Sequence, residues 1–316
     1  MEDFELKQDI SQSKKYIITA VNSTVMYLLA YLFVNIYYQV ITINRAYSFS
    51  IDAKLLYYKI GWLKGPDSLL WTHESVKHIF AIGPILAFAL AVVFIVIYIF
   101  ARQKKGLFKL FCIWTIMHSL NMFLGALLIG ILTTINFPYT NQILKTISDF
   151  MFFTKDVSYS SLGFGYVSDW MYMDNKTKAA LFISSGLLSL IIGFFSSRLF
   201  LKTAQSKSLV KNEISRQSTI LFQTYLPWLF ASLFLLLIKI PHNLRYEIYL
   251  YLSMLIMIFP SVLNVLRNPK SYRTIMVVKE TKPISIHKPL LIFTIILYIA
   301  FRLIFNNGIY VNFISL

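Results

Sequence analysis

Seven blocks of mostly apolar residues, separated by short links that hold nearly all the charge, constrain this chain more than any other feature. A helix crossing a hydrocarbon core of about 30 Å needs about 20 such residues, because lipid offers no hydrogen bonds and the segment must satisfy its own backbone. The blocks fall at 16–43, 79–101, 107–135, 179–201, 220–238, 248–266 and 290–304, the last being the shortest. They predict an all-α fold: a polytopic transmembrane helix bundle of about seven spans, forming one domain. Hydrophobic residues make up 57% of the 316, above the roughly 45–50% of soluble domains. The first block is too long for a signal-peptide core and ends without a small-residue cleavage site, so it is read as a retained helix.

The 30 Lys and Arg residues set the orientation. Eighteen lie on links that alternate to one side of the bundle and twelve on the other. Short cytoplasmic links collect Lys and Arg, so the eighteen predict a cytoplasmic N-terminus and an external C-terminus. A net charge of +16 in a soluble chain would suggest nucleic acid. Cations confined to interhelical links point away from nucleic acid and toward topology. Lys202, Lys207, Lys211 and Arg216 of one link are expected near Lys270, Arg273, Lys279 and Lys282 of the next. Such a basic cytoplasmic face attracts anionic lipids at about 1 kcal/mol per cation near the surface, and it can also dock an acidic partner. The external links 44–77 and 136–178 are long and aromatic. Both are read as amphipathic pieces lying in the interface, with helical spacing at 142–153 followed by the segment 163–170.

Ionisable groups inside a membrane are costly and therefore functional candidates. Within the blocks the search returns His118, apart from Cys112 and the tyrosines; every Asp, Glu, Lys and Arg falls at a block end or in a link. Proton-coupled and ion-coupled carriers place carboxylates at mid-membrane, so the absence of one from the block interiors weighs against those classes. His118, Asn121 and Gly125 share a helix face, and Ala126 with Gly130 offers a small-xxx-small contact, so the third helix is expected inside the bundle. For His118 and Asn121 the packing role is an interhelical hydrogen bond, and the alternative is a ligand, proton or metal role. Cys112 is read as an apolar filler; one cysteine builds no disulfide or thiolate cage. The prolines are placed at helix ends, Pro84 opening the second helix, Pro227 the fifth, and Pro260 late in the sixth.

No metal site, cofactor or catalytic motif is predicted. His73 and His78 are five apart and diverge on a helix, unlike the four-residue spacing of a zinc pair. Gly83-Pro84, Asn121 and Asp169 resemble a fragment of the intramembrane site-2 metalloprotease pattern, without its zinc-binding histidine pair. The expected function is a non-catalytic membrane subunit or accessory factor that binds a protein partner in the bilayer. The rival is a degenerate metalloprotease-like intramembrane enzyme, or a small-molecule facilitator, centred on His118 and Asn121, with Asp169 as a further polar candidate. Abundant Ile, Lys, Asn, Phe and Tyr suit an AT-rich bacterial genome, and hence an inner-membrane address.

Overall fold

The computed structural model describes residues 11–65, 67–101, 106–134, 164–204, 207–240, 242, 245–267 and 284–311. It is an all-helical bundle in which six helices are long and apolar enough to cross a membrane, the architecture of a multi-pass membrane protein. The helices are α1 (Gln12–Tyr47), α2 (His73–Phe100), α3 (Gly106–Thr134), the short α4 (Phe164–Trp170) and α5 (Asn175–Lys202). There follow α6 (Glu213–Lys239), α7 (Arg245–Arg267) and α8 (Lys288–Ile304). With 17 residues, α8 is shorter than the six.

Several helices begin well before their apolar block, because polar caps recruit a hydrophilic first turn. Thr72 and Ser75 form a reciprocal capping box that starts α2 at His73 rather than near residue 79. Asn212 and Ser215 do the same for α6. At α5 the Asp174 carboxylate accepts from the Thr177 N–H at 3.3 Å, and hydrogen bonding from the Thr177 side chain, with the backbone N–H bonds behind it, holds its pKa below the usual value. Earlier starts turn two expected helix-opening prolines into interior ones. Pro84 lies inside α2, and Pro227 lies inside α6 just after a π-helical turn at Leu221–Tyr225. The turn re-routes the Leu226 N–H to the Leu221 carbonyl, the local slack with which a helix absorbs a residue lacking an N–H.

α3 is the central post. Its most apolar window is 94% buried, against 22% for α5 at the edge. Cys112, Trp114 and Ala126 are fully enclosed. α5 packs on α7 through a stripe of small residues at four-residue spacing, Ser185, Ser189, Gly193 and Ser197, all buried. Gly193 lies so close that an added Cβ would run into the Met257 carbonyl. Asn264 clasps the same interface, donating to the Phe194 carbonyl at 2.7 Å and to the Ser197 hydroxyl at 3.0 Å.

The link 44–77 corrects the expectation of amphipathic interfacial pieces. α1 continues through Tyr47, and β1 (Ala53–Leu55) pairs antiparallel with β2 (Ile60–Trp62). β3 (Ile309–Tyr310), beyond α8, adds to the other edge of β1, giving the order β2-β1-β3. At the opposite end of α8, Asn22 of α1 donates to the Ser285 carbonyl at 3.0 Å and accepts from the His287 N–H at 3.1 Å. Midway, the Tyr298 hydroxyl donates to the Leu28 carbonyl at 2.7 Å. α8 therefore runs beside α1 in the same direction and ends at the same face of the molecule.

Candidate functional site

The longest stretch of buried polarity follows α1 through the bundle. It starts where the π turn of α6 meets α1. Because Pro227 has no N–H, the carbonyl four residues before it, that of Gln223, loses its helical donor. Ser23 supplies one, donating its hydroxyl to that carbonyl at 2.7 Å, and the Trp114 indole N–H donates to Ser23 at 3.0 Å. Gln223 itself donates its side-chain amide to Thr203 at 2.6 Å. Three helices are thus tied by one proline's missing hydrogen.

One turn above Trp114 sits His118, 3% exposed. Its ring meets Tyr27 edge-on at 4.3 Å between centroids and Tyr31 edge-on at 5.5 Å, with Trp114 tilted at 6.1 Å. Among the described residues His118 Nε2 makes no hydrogen bond. Asn121, three residues on, faces α7 instead. It donates to the Leu250 carbonyl at 3.1 Å and accepts from the Ser253 hydroxyl at 2.9 Å, across a contact that Gly125 keeps narrow.

Beyond Tyr31 lies a feature the sequence reading excluded. Lys239 and Glu247 form an ion pair of 3.0 Å with side chains 7% and 10% exposed, and Lys239 also donates to the Tyr31 hydroxyl at 3.3 Å. Both residues stand near helix ends, where charge is ordinarily solvated. Nearby, His242 stacks on Tyr58 at 3.5 Å and packs against Tyr57 at 5.6 Å. Partial burial, with Lys59 and Arg302 nearby, lowers the pKa of His242 against the opposing pull of Glu247.

The structure separates the residues of the metalloprotease-like fragment. Gly83 packs on Tyr38 and Thr42 of α1, Asn121 is bonded to α7, and Asp169 pairs with Lys178 at 2.9 Å. α4, which carries Asp169, lies against Gly130, about 18 Å along α3 from His118. Among the described residues no group of three His, Cys, Asp or Glu side chains could hold a metal ion. His78 faces Glu74 at 3.7 Å rather than a second histidine.

Of the eight basic link residues, three have described side chains. Arg216 is buried, with its guanidinium 3.4 Å from the Val210 carbonyl. Lys211 is exposed, and Lys202 lines a cavity between α2, α3 and α5. Lys207 belongs to a 3-10 turn. Lys270, Arg273, Lys279 and Lys282 lie outside the described residues, as do residues 142–153.

Sequence reasoning missed Ser23, Trp114, Gln223, Lys239 and Glu247. Only Pro227 carried a readable signal, since a proline within a span leaves one carbonyl that something must satisfy. No protein-family model, curated protein or solved structure matches the chain.

Proposed function

We propose that this chain is a non-catalytic integral membrane subunit or accessory factor, which binds a protein partner within the bilayer. The observation that carries this reading is that several polar groups of the spans join helix to helix as interhelical ties. Asn121 joins α3 to α7, Trp114 and Ser23 join α3 and α1 to α6, and Lys239 with Glu247 joins α6 to α7 and α1. Polarity spent in this way holds a shape, and a fixed shape is what a partner reads. Glu247 is a buried carboxylate whose charge is matched by Lys239.

The accompanying topology is seven crossings, N-terminus cytoplasmic and C-terminus external, in a bacterial inner membrane. The eighteen-to-twelve division of cations supports the orientation. The pairing of β3 with β1 supports α8 as the seventh crossing, because α1 and α8 then end on one side, as an odd number of spans demands. A reporter inserted at 102–105 is expected in the cytoplasm and one at 141–149 outside; finding both on one side overturns the topology.

Purification in mild detergent at low and at high salt, followed by partner identification, tests the function. A stoichiometric companion that survives high salt supports docking through helix faces; one lost with salt, or when Lys202, Lys211 and other link cations are changed to Gln, supports the basic face. Recovery of the chain alone under every condition rejects the reading. A second reading is favoured by His118 Nε2, buried among Tyr27, Tyr31 and Trp114 with no hydrogen-bond partner among the described residues: a small polar ligand or a proton bound at the bundle centre. Full abundance of His118→Leu with loss of function would support that second reading.

A further inference from the structure

Between α2, α3 and α5 the molecule holds a cavity of about 560 Å³, partly open to its surroundings. This lies within the roughly 300–1,000 Å³ of ligand sites. Its walls are mostly apolar, with Ile95 and Tyr98 from α2, Ile113 and Met117 from α3, and Ile191 and Phe195 from α5. Along α3 it runs from Lys109 to Leu120 and along α5 from Lys202 to Ile191. Eleven residues of helix span about 16 Å, and half of a hydrocarbon core is about 15 Å. The groove is therefore as deep as one leaflet.

Both lysines stand at the same end. Lys109 occupies the first turn of α3, which contains no acidic residue, and Lys202 is the last residue of α5. α2 also ends at that face, at Phe100. The positive end of the α3 dipole adds to the two ammonium groups. An apolar slot one leaflet deep, with two cations at the level where head groups lie, is complementary to one kind of molecule. We infer that this groove binds an anionic phospholipid, its acyl chain along Ile113, Met117 and Ile191 and its phosphate between Lys109 and Lys202. In the proposed topology the lipid belongs to the cytoplasmic leaflet; the site itself does not depend on the orientation.

Native mass spectrometry of the full chain tests the inference, with phosphatidylglycerol and phosphatidylcholine of equal chain length as probes. Lys202, the more accessible of the two cations, corresponds to about a fivefold preference for the anionic lipid, and the more enclosed Lys109 is expected to add to it. Lys109→Gln with Lys202→Gln is expected to abolish the preference while neutral lipid binds as before. Lys109→Arg with Lys202→Arg is expected to retain it, which separates charge from any loss of folding. Lys211→Gln, an exposed cation elsewhere, is expected to change nothing. Ile95→Trp with Ile191→Trp, both at exposed positions, fills the slot and is expected to expel either lipid. Millimolar inorganic phosphate is expected not to compete, because the acyl chain supplies much of the affinity. Anionic preference surviving the Gln pair, lipid retention undiminished by the Trp pair, displacement of lipid by phosphate, or a second protein chain held in place of lipid would each overturn the assignment.

Discussion

The contact most sensitive to a single carbon is Gly193 against α7. Gly193→Ala places a Cβ inside the Met257 carbonyl, with the Met257 carbonyl carbon at 2.9 Å and Pro260 Cδ at 3.1 Å. All three obstacles belong to backbone or to a proline ring, so none can rotate away, and α5 must move off α7. Inserting a methylene into packed structure costs about 1–3 kcal/mol. Moving the helices apart also stretches both Asn264 bonds, at about 0.6 kcal/mol for each interhelical bond in a membrane. The total comes to about 2–4 kcal/mol. Gly186 offers a control on the same helix, because its Cβ would find only Leu128 Cδ2 at 3.7 Å, an ordinary contact. Replacing a helical glycine by alanine without a clash gains about 0.5–1 kcal/mol. Thermal unfolding in a mild detergent, followed by Trp fluorescence, should therefore show Gly193→Ala well below the parent and Gly186→Ala at or above it. If the two variants melt together, close approach along the small-residue stripe is not what holds α5 to α7.

Lys239→Met strands Glu247 in a buried position and should cost about 3–5 kcal/mol, whereas Lys239→Met with Glu247→Leu should recover most of it; equal melting of the single and double variants would refute an energetically coupled pair. Ser23→Ala should cost about 1 kcal/mol in the parent and less beside Pro227→Ala, which restores a helical donor to the Gln223 carbonyl; a double-mutant cycle with no coupling sinks that account. Because the folded protein holds the pKa of His242 below its unfolded value of about 6.5, protonation favours the unfolded state, and stability should decline as pH falls below that value. His242→Gln should flatten the decline in melting temperature measured between pH 7 and pH 5, and an unchanged slope would discount the stack on Tyr58.

The helices were legible because about 20 consecutive apolar residues leave a chain few alternatives. Their ends were not, because Thr72, Asp174 and Asn212 draw polar turns into helix that hydropathy assigns to links. The stripe Ser185, Ser189, Gly193 and Ser197 stood in the sequence at plain four-residue spacing and could have been read in the same way as Ala126 and Gly130. The Lys239–Glu247 pair could not. Lys239 also meets Tyr31, 208 positions away on α1, and no local pattern marks a helix-end lysine as enclosed. His118 illustrates the same limit: its position in the interior was readable, while its ring of aromatic neighbours is supplied by two helices whose rotation the sequence does not specify.

Lipid supplies no hydrophobic drive for one helix to join another, so association falls to close packing and to polar ties. The two are unevenly distributed in this bundle. Polar ties bind α1, α3, α6, α7 and α8 into a group around the His118 region. α5 joins through small residues and Asn264 on α7, with its opposite row, Ile183, Leu187, Ile191 and Phe195, left exposed. α2 sits against α1 by the close fit of Gly83 on Tyr38 and Thr42. α2 and α5 are thus anchored on different helices, α1 and α7, and neither anchor draws one toward the other. The gap between them is the groove that ends at Lys109 and Lys202. Ile95 and Tyr98 of α2 and Ile191 and Phe195 of α5 line that groove and leave it open. In the lipid assignment proposed above, an acyl chain completes the packing of α3 at that point, which would make the bilayer itself part of this interface.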